Sequence, residues 1–198
     1  MEDGYIKYIC IWNKSEIIIS ETKLAEINKY RGLLIELGMI GKIQNGPGFG
    51  NISVKRGKNE FIISGSNTGH LSELYKNHIA LVTKTNIEKN SVWCKGFTKA
   101  SSESMSHAII YKELKDVNVV IHIHHKEIWN YYLNKQPTTS NSVSYGTPDM
   151  ALQIKEKLKN SPISNTIILG GHEDGIIVFG QTLSDAFVAI KKLFNAIC

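Results

Sequence analysis

The feature that most constrains the fold is an apolar run that ends in histidines, Val-Asn-Val-Val-Ile-His-Ile-His at residues 117–124. Its Val and Ile content predicts a β-strand. Because residues two apart on a strand point to the same side, we expect His122 and His124 to present two imidazoles to one face, with His125 turned away or beginning the next turn. Two imidazoles at this spacing can chelate one borderline metal ion, with Zn²⁺ favoured. The alternative is a pair of histidines at a solvated strand end.

A third ligand is needed to complete such a metal site, and His172 is the best candidate. It follows Gly170 and Gly171 and precedes Gly175, in a tight turn between two apolar β-runs. Loops at strand ends commonly carry functional side chains. The alternative is a turn histidine that bonds its own backbone.

Glu103 is a candidate acid/base. It follows Ser101 and Ser102 at the predicted start of a helix, where the helix dipole stabilises a carboxylate. A serine-capped helix with an acidic first turn explains this residue without any function. A carboxylate beside an open metal position could instead move a proton. His107 lies four residues later and shares a helix face with Glu103.

Three polar segments could form one anion pocket. They are the glycine-rich loop at residues 46–50, Ser64-Gly65, and Ser101-Ser102 at the helix start. Backbone N–H groups, hydroxyls and a helix dipole suit a phosphate or a carboxylate. Each segment alone is an ordinary turn or cap, so the hypothesis depends on the fold bringing them together.

The order of the predicted elements mixes β-hairpins with crossover helices, which indicates a largely antiparallel sheet with helices packed on its faces. The 198 residues, 42% of them apolar, are typical of one globular domain. We assign residues 1–20 to a strand-like N-terminal extension and residues 21–198 to the domain. Within these we predict strands at 5–19, 51–55, 60–64, 79–83, 91–95, 117–124, 166–170 and 175–179, and helices at 21–37, 71–77, 101–115, 126–133, 147–159 and 183–197.

The net charge of +5 comes almost entirely from lysines that are spread along the chain, because Arg31 and Arg56 are the only arginines. Arginine forks read guanine edges and brace phosphates, so we expect no nucleic-acid partner. A basic surface instead suits a small anionic substrate.

The chain is expected to be cytoplasmic, without a membrane partner. Its longest apolar runs are far too short to span a bilayer, and residues 1–3 begin no secretory signal. Cys10, Cys94 and Cys198 are odd in number, and no Cys-x-x-Cys motif occurs, which fits a reducing compartment.

Several separate motifs occur in a fixed order along the chain. They are Gly50-Asn51-Ile52-Ser53-Val54, Ile63-Ser64-Gly65, Ala100-Ser101-Ser102-Glu103 with His107, Val120-Ile121-His122-Ile123-His124, His172 with Gly175, and Phe179-Gly180-Gln181-Thr182-Leu183-Ser184-Asp185-Ala186. Together they resemble the class II aldolase/adducin family over roughly residues 22–195. The family includes zinc-dependent aldolases, epimerases and dehydratases of sugar phosphates, as well as the non-catalytic head domain of adducin.

The resemblance implies a three-layer α/β/α sandwich with a central, mainly antiparallel sheet, assembled into a homotetramer. It implies that His122, His124 and His172 bind Zn²⁺ or another divalent metal and that Glu103 is the catalytic acid/base or a further metal ligand. It also implies that the phosphate of a small keto-sugar phosphate is held by Asn51, Ser64, Gly65, Ser101 and Ser102.

The activity implied by the resemblance is aldolase cleavage of a carbon–carbon bond through an enediolate. The alternatives are an epimerase or a dehydratase with the same metal and different proton shuttles, or a non-catalytic adducin-like binding domain. Adducin-like domains lack the histidine set, so the three histidines of this chain disfavour the last alternative.

The sequence departs from the family pattern where the usual His-Gly is replaced by His172-Glu173-Asp174-Gly175. Glu173 and Asp174 are therefore possible additional acid/base residues, which could also add a metal ligand, replace Glu103 or select another substrate. The glycine-rich loop offers Gly48 or Phe49 where the aldolases usually have a hydroxyl residue.

A second departure is the short segment between His124 and Thr147. Aldolases have a longer insertion there, including a tyrosine that reaches a neighbouring site. Tyr131, Tyr132 and Tyr145 are nearby candidates for that role.

Overall fold

The computed structural model describes residues 5–161 and 164–197, and β-strands run through the whole of this part of the chain. The strands are β1 (Ile9–Asn13), β2 (Gly41–Lys42), β3 (Gly48–Phe49), β4 (Asn51–Lys55), β5 (Phe61–Ser64), β6 (Ile79–Asn86), β7 (Ser91–Lys95), β8 (Val119–His124), β9 (Thr166–Ile168) and β10 (Gly175–Gly180). Eight of these described strands hydrogen-bond into one sheet in the order β1-β7-β6-β5-β4-β8-β10-β9, and β2 pairs with β3 in a separate ribbon. All adjacent strands of the large sheet are antiparallel except β1 and β7, which are parallel. The predicted mainly antiparallel sheet is therefore confirmed.

Helices cover both faces of the large sheet. They are α1 (Glu21–Glu36), α2 (Ser104–Glu113), α3 (Lys126–Tyr132), α4 (Pro148–Asn160) and α5 (Leu183–Asn195). Buried apolar residues of α1, α3 and α5 form one hydrophobic core, and those of α2 and α4 form a second. The sheet separates the two cores, so the three-layer α/β/α sandwich predicted for this chain is confirmed.

Strand β8 lies inside the sheet between β4 and β10. Its alternate residues enter different cores, with Ile121 and Ile123 on the α1/α5 side and Val120 on the α2/α4 side. This double burial explains why the strand is apolar along almost its whole length. His122 and His124 share the α2/α4 side with Val120, because residues two apart on a strand face the same way.

The helix predicted at residues 71–77 is wrong, since only a single 3₁₀ turn forms at Lys76–His78. The physical reason is the side chain of Arg31 on α1. Its guanidinium donates to the carbonyl oxygens of residues 68, 69, 71 and 72, which holds this segment in an irregular conformation.

The N-terminal strand is shorter than predicted, because β1 ends at Asn13 where its parallel partner β7 ends at Lys95. Beyond that point Ile17 and Ile19 are still buried, although they belong to no strand. The boundary between an extension at 1–20 and a domain at 21–198 stays a prediction. Residues 1–4 of that extension and Cys198 lie outside the described residues.

Among the residues that the structure describes, no helix is both long enough and apolar enough to cross a membrane.

Candidate metal centre

Three histidines converge at the end of the large sheet where β8 ends and β10 begins. His122 and His124 come from the end of β8, and His172 comes from the turn between β9 and β10. Each offers a ring nitrogen that lies within 4.8 Å of the others. Their ring centroids are 4.7 to 5.0 Å apart, and all three side chains are buried. The structure thus brings together the three histidines that the sequence singled out.

The turn at residues 169–175 places His172 against β8. The N–H of His172 donates to the Leu169 carbonyl, and the N–H of Gly175 donates to the His172 carbonyl. Gly171 lies so close to residue 143 that a Cβ there would collide with the Val143 carbonyl oxygen. A glycine is therefore required beside His172 for steric reasons. Tyr145 stacks on the His172 imidazole with a centroid distance of 4.6 Å.

The chemistry of these groups fits a divalent metal ion. Neutral imidazole is the form that binds metals. Burial, followed by the neighbouring His124, His172 and His107, holds the pKa of His122 well below its ordinary value, which favours that neutral form. The Nε2 atom of His122 is buried without a hydrogen-bond partner in the described part of the chain. Three imidazoles are a common set of protein ligands for catalytic zinc, with a fourth position left for water or substrate.

Glu103 lies at the N-terminus of α2 and is completely buried beside the cluster. One carboxylate oxygen accepts a hydrogen bond from the Ser106 hydroxyl at 2.8 Å, and the other lies 3.7 Å from Nδ1 of His172. The helix begins here because the N–H and hydroxyl of Ser104 both donate to the Ser101 carbonyl. The carboxylate is therefore fixed on the metal-centre side of the helix.

A small recess opens beside the histidines and Glu103. Of the predicted anion-binding residues, Asn51, Gly65, Ser101 and Ser102 line it, and Gly48 and Phe49 of the glycine-rich loop line it as well. Ser64 does not, because its hydroxyl accepts a hydrogen bond from the Ile52 N–H within the sheet. The recess offers an amide, hydroxyls and the N-terminus of α2, which suit an anion.

The far side of the recess is formed by Asn67, Thr68 and Gly69, which sequence reasoning missed. Arg31 holds this segment by donating to its carbonyl oxygens from a buried position. Burial lowers the pKa of Arg31 to about 10. The sequence does contain a signal for this contact, because Arg31 is a lone charged residue on the otherwise apolar buried face of α1.

Glu173 and Asp174 do not line the recess and are not part of the histidine cluster. Glu173 is exposed, and Asp174 has a left-handed backbone with φ of 65°. Burial and then the neighbouring Glu173 raise the pKa of Asp174. Its other charged neighbours are Lys126, Glu127 and His125.

The N-terminal segment contacts the recess from behind. The Tyr8 hydroxyl donates to the carbonyl oxygens of Ala100 and Ser101, and Lys7 lies 3.9 Å above the ring of Tyr145. Of the three tyrosines that the sequence offered as candidates to reach a neighbouring site, Tyr145 lies against His172 of its own chain. Tyr131 and Tyr132 pack against each other on α3.

A second cluster of buried polar side chains, formed by Ser53, His107 and Tyr111, lies between the sheet and α2. The hydroxyl of Ser53 lies 2.7 Å from Nδ1 of His107 and 2.7 Å from the hydroxyl of Tyr111. Burial lowers the pKa of His107 to about 3, so this imidazole is neutral. His107 does not line the recess.

Comparison with known proteins agrees with this geometry. Residues 44–197 match the family model "Class II Aldolase and Adducin N-terminal domain". A sequence search of curated proteins finds no match.

Similar solved structures share the fold. An L-fuculose 1-phosphate aldolase is 22% identical with a TM-score of 0.69, over 90% of this chain and 84% of that one. A sugar-phosphate aldolase from Thermotoga maritima is 15% identical with a TM-score of 0.66, over 89% and 92%. YgbL from Klebsiella pneumoniae, a candidate aldolase/epimerase/decarboxylase, is 18% identical with a TM-score of 0.65, over 89% and 87%. Because the family model covers more than three quarters of the sequence, this chain belongs to the class II aldolase and adducin family.

Proposed function

We propose that this protein is a metal-dependent aldolase that cleaves a small keto-sugar phosphate. The observation that carries the proposal is the convergence of three buried imidazoles, of which His122 lines a recess suited to an anion together with the buried carboxylate of Glu103. Structural relatives named L-fuculose 1-phosphate aldolase and sugar-phosphate aldolase support the same reaction class.

The metal we expect is Zn²⁺, held by His122, His124 and His172. When bound there, it would supply a Lewis acid that stabilises negative charge on the oxygens of the substrate. The rigid position of the three side chains in the sheet and in the turn at residues 169–175 means that little conformational entropy is lost on binding an ion.

The anionic group of the substrate is expected to bind in the recess. Ser101 and Ser102 lie just before α2, where the positive end of the helix dipole favours an anion, and Asn51 and Gly65 face them. The single proton of the Tyr8 hydroxyl is shared between the carbonyls of residues 100 and 101, which holds this segment in position.

Glu103 is the residue we expect to move the proton. In the cleavage, a substrate hydroxyl loses its proton to solvent as the carbon–carbon bond breaks and the aldehyde fragment leaves. The carbon left on the other fragment then gains a proton from the Glu103 carboxyl, which is reprotonated by solvent, and this gives the free ketose phosphate product. The Glu103 carboxyl is held beside the metal centre by Ser106, so it can donate that proton without first changing conformation.

We further expect a homotetramer in the cytoplasm, as in the aldolases that this chain resembles. Sedimentation velocity of the purified protein tests the assembly, and a monomer at micromolar concentration would contradict it.

The activity is tested with purified protein in two steps. Metal analysis is expected to find about one Zn²⁺ or other divalent ion per chain. The metal-loaded protein is then incubated with a panel of ketose 1-phosphates, and dihydroxyacetone phosphate release is measured in a coupled assay. Release that chelator abolishes supports the aldolase. Bound metal with no release from any substrate contradicts it and redirects the search to epimerisation, dehydration or non-phosphorylated substrates.

A further inference from the structure

Asn51 makes a contact that an anion-binding role alone does not explain. It pairs with His122 across β4 and β8, so both side chains lie on the same face of the sheet. The amide Nδ2 of Asn51 lies 3.4 Å from Nδ1 of His122. Both residues are buried, and both line the recess.

In this orientation two polar atoms are unsatisfied. An amide N–H that donates to Nδ1 requires the proton of the neutral imidazole to be on Nε2. That Nε2 is buried without a hydrogen-bond partner in the described part of the chain, and so is Oδ1 of Asn51. Leaving a buried donor or acceptor unpaired is destabilising, because the group has lost its hydrogen bonds to water and gained none in return. A protonated Nε2 also has no lone pair to offer to a metal.

A half-turn of the amide gives Oδ1 a partner and leaves the other two atoms, the amide nitrogen and Nε2 of His122, in forms that can bind an anion and a metal ion. Oδ1 of Asn51 then accepts the proton of Nδ1, which moves the lone pair of His122 to Nε2. The amide nitrogen takes the former position of Oδ1, where its N–H groups can donate to an anion in the recess. Metal-binding histidines generally donate their other ring N–H to such an acceptor, which fixes the tautomer.

We propose that Asn51 is a positioning residue for the metal centre, whose amide oxygen fixes the metal-binding tautomer of His122 while its amide nitrogen binds the substrate anion. The inference rests on the proposed function and deepens it, because one amide then links the metal to the recess. We therefore expect metal binding to depend on the amide oxygen of Asn51 and anion binding to depend on its amide nitrogen.

Two substitutions at residue 51 separate the roles of the two atoms. Asn51→Leu is nearly isosteric and removes both the acceptor and the donor. We expect it to weaken Zn²⁺ binding about 10–100-fold, which is the usual effect of removing the group that accepts a hydrogen bond from a metal-binding histidine. Asn51→Asp keeps a stronger acceptor for His122 and loses the donor. Its Zn²⁺ affinity is expected to equal or exceed that of the wild type, whereas inorganic phosphate binds the Zn²⁺-loaded variant more weakly.

The affinities are measured by competition with a chromophoric chelator for Zn²⁺ and by calorimetry for inorganic phosphate. Ser102→Ala is the matched control. It removes a hydroxyl of the recess, whereas the polar side chain in contact with His122 is that of Asn51. This control is expected to weaken phosphate binding and to leave Zn²⁺ affinity unchanged. Equal Zn²⁺ affinity in Asn51→Leu and wild type would overturn the inference.

A second readout needs no variant. In ¹⁵N–¹H correlation spectra of the Zn²⁺-loaded wild type, His122 is expected to carry its proton on Nδ1. A proton on Nε2 of His122 overturns the inference, and this spectrum decides alone should Asn51→Leu fail to fold. Failure of the wild type to bind any divalent ion is a different result, since it contradicts the metal centre in the proposed function itself.

Discussion

His122 and His107 are two fully buried histidines on the same side of the sheet, and their surroundings differ. Each is contacted by a polar residue of β4, Asn51 for His122 and Ser53 for His107. His107 is otherwise enclosed between the sheet and α2, with Tyr111 sharing its serine partner. His122 instead lies beside two further imidazoles and lines a recess. Burial of a histidine therefore does not indicate a metal site, whereas convergence of ring nitrogens beside an accessible recess identifies a candidate for one.

The strongest test of this comparison replaces each histidine by glutamine. Because a Lewis acid supplies several kcal/mol of transition-state stabilisation, we expect His122→Gln to lower kcat/KM about 10⁴-fold and to abolish stoichiometric metal binding. His107→Gln is expected to retain about one metal per chain. Metal analysis by mass spectrometry and the aldolase assay measure both, and loss of metal from both variants alike would contradict the distinction.

The same contrast exists along α2, since Glu103 and His107 are one turn apart and only Glu103 lines the recess. Glu103→Gln preserves size and the capacity to accept a hydrogen bond from Ser106, and removes the ionisable proton. We expect kcat to fall about 10²–10³-fold, as for loss of an acid/base group, with metal content unchanged. Wild-type kcat in this variant would rule out Glu103 as the proton donor and return attention to Glu173 and Asp174.

The sequence was sufficient to predict the parts of the site that depend on local pattern. His122 and His124 follow from the period of a strand, and His172 follows from a glycine-rich turn between two β-runs. Helix starts were predictable for the same reason, because Ser20, Thr147 and Thr182 each cap a helix through their own side chains.

Contacts between distant segments were not predictable. Arg31 is 37 or more residues away from the carbonyl oxygens that it binds, and those bonds replace the helix expected at residues 71–77. Ser53 likewise is more than 50 residues from His107. Such pairs have no periodicity, and only the three-dimensional arrangement of the sheet and helices creates them.

A smaller effect is expected from the hydroxyl of Ser53. Ser53→Ala leaves His107 without its hydrogen-bond partner, whereas the Tyr111 hydroxyl keeps a backbone hydrogen bond to Val120. Because a buried group left unpaired costs about 1–3 kcal/mol, we expect the free energy of unfolding to fall by about 1–3 kcal/mol in urea denaturation, without loss of metal. A Ser53→Ala protein of wild-type stability would show that this buried group does not stabilise α2 against the sheet.

The last expected effect is on the pH dependence of stability. Burial lowers the pKa of His107 to about 3, against about 6.5 for an unperturbed histidine. Between these values the unfolded chain binds more protons than the folded one, so the stabilising contribution is complete above about pH 6.5 and is lost as the pH falls towards 3. Each such histidine adds about 1.4 kcal/mol per pH unit to the slope, and His122 acts in the same direction because its pKa is also lowered. In metal-free protein, His107→Gln is expected to reduce the slope between pH 6 and pH 4 by about one proton, measured by urea denaturation at a series of pH values. Parallel slopes in the two proteins would mean that His107 is not held neutral by the fold. The enclosed histidine would then differ from His122 in its protonation as well as in its neighbours.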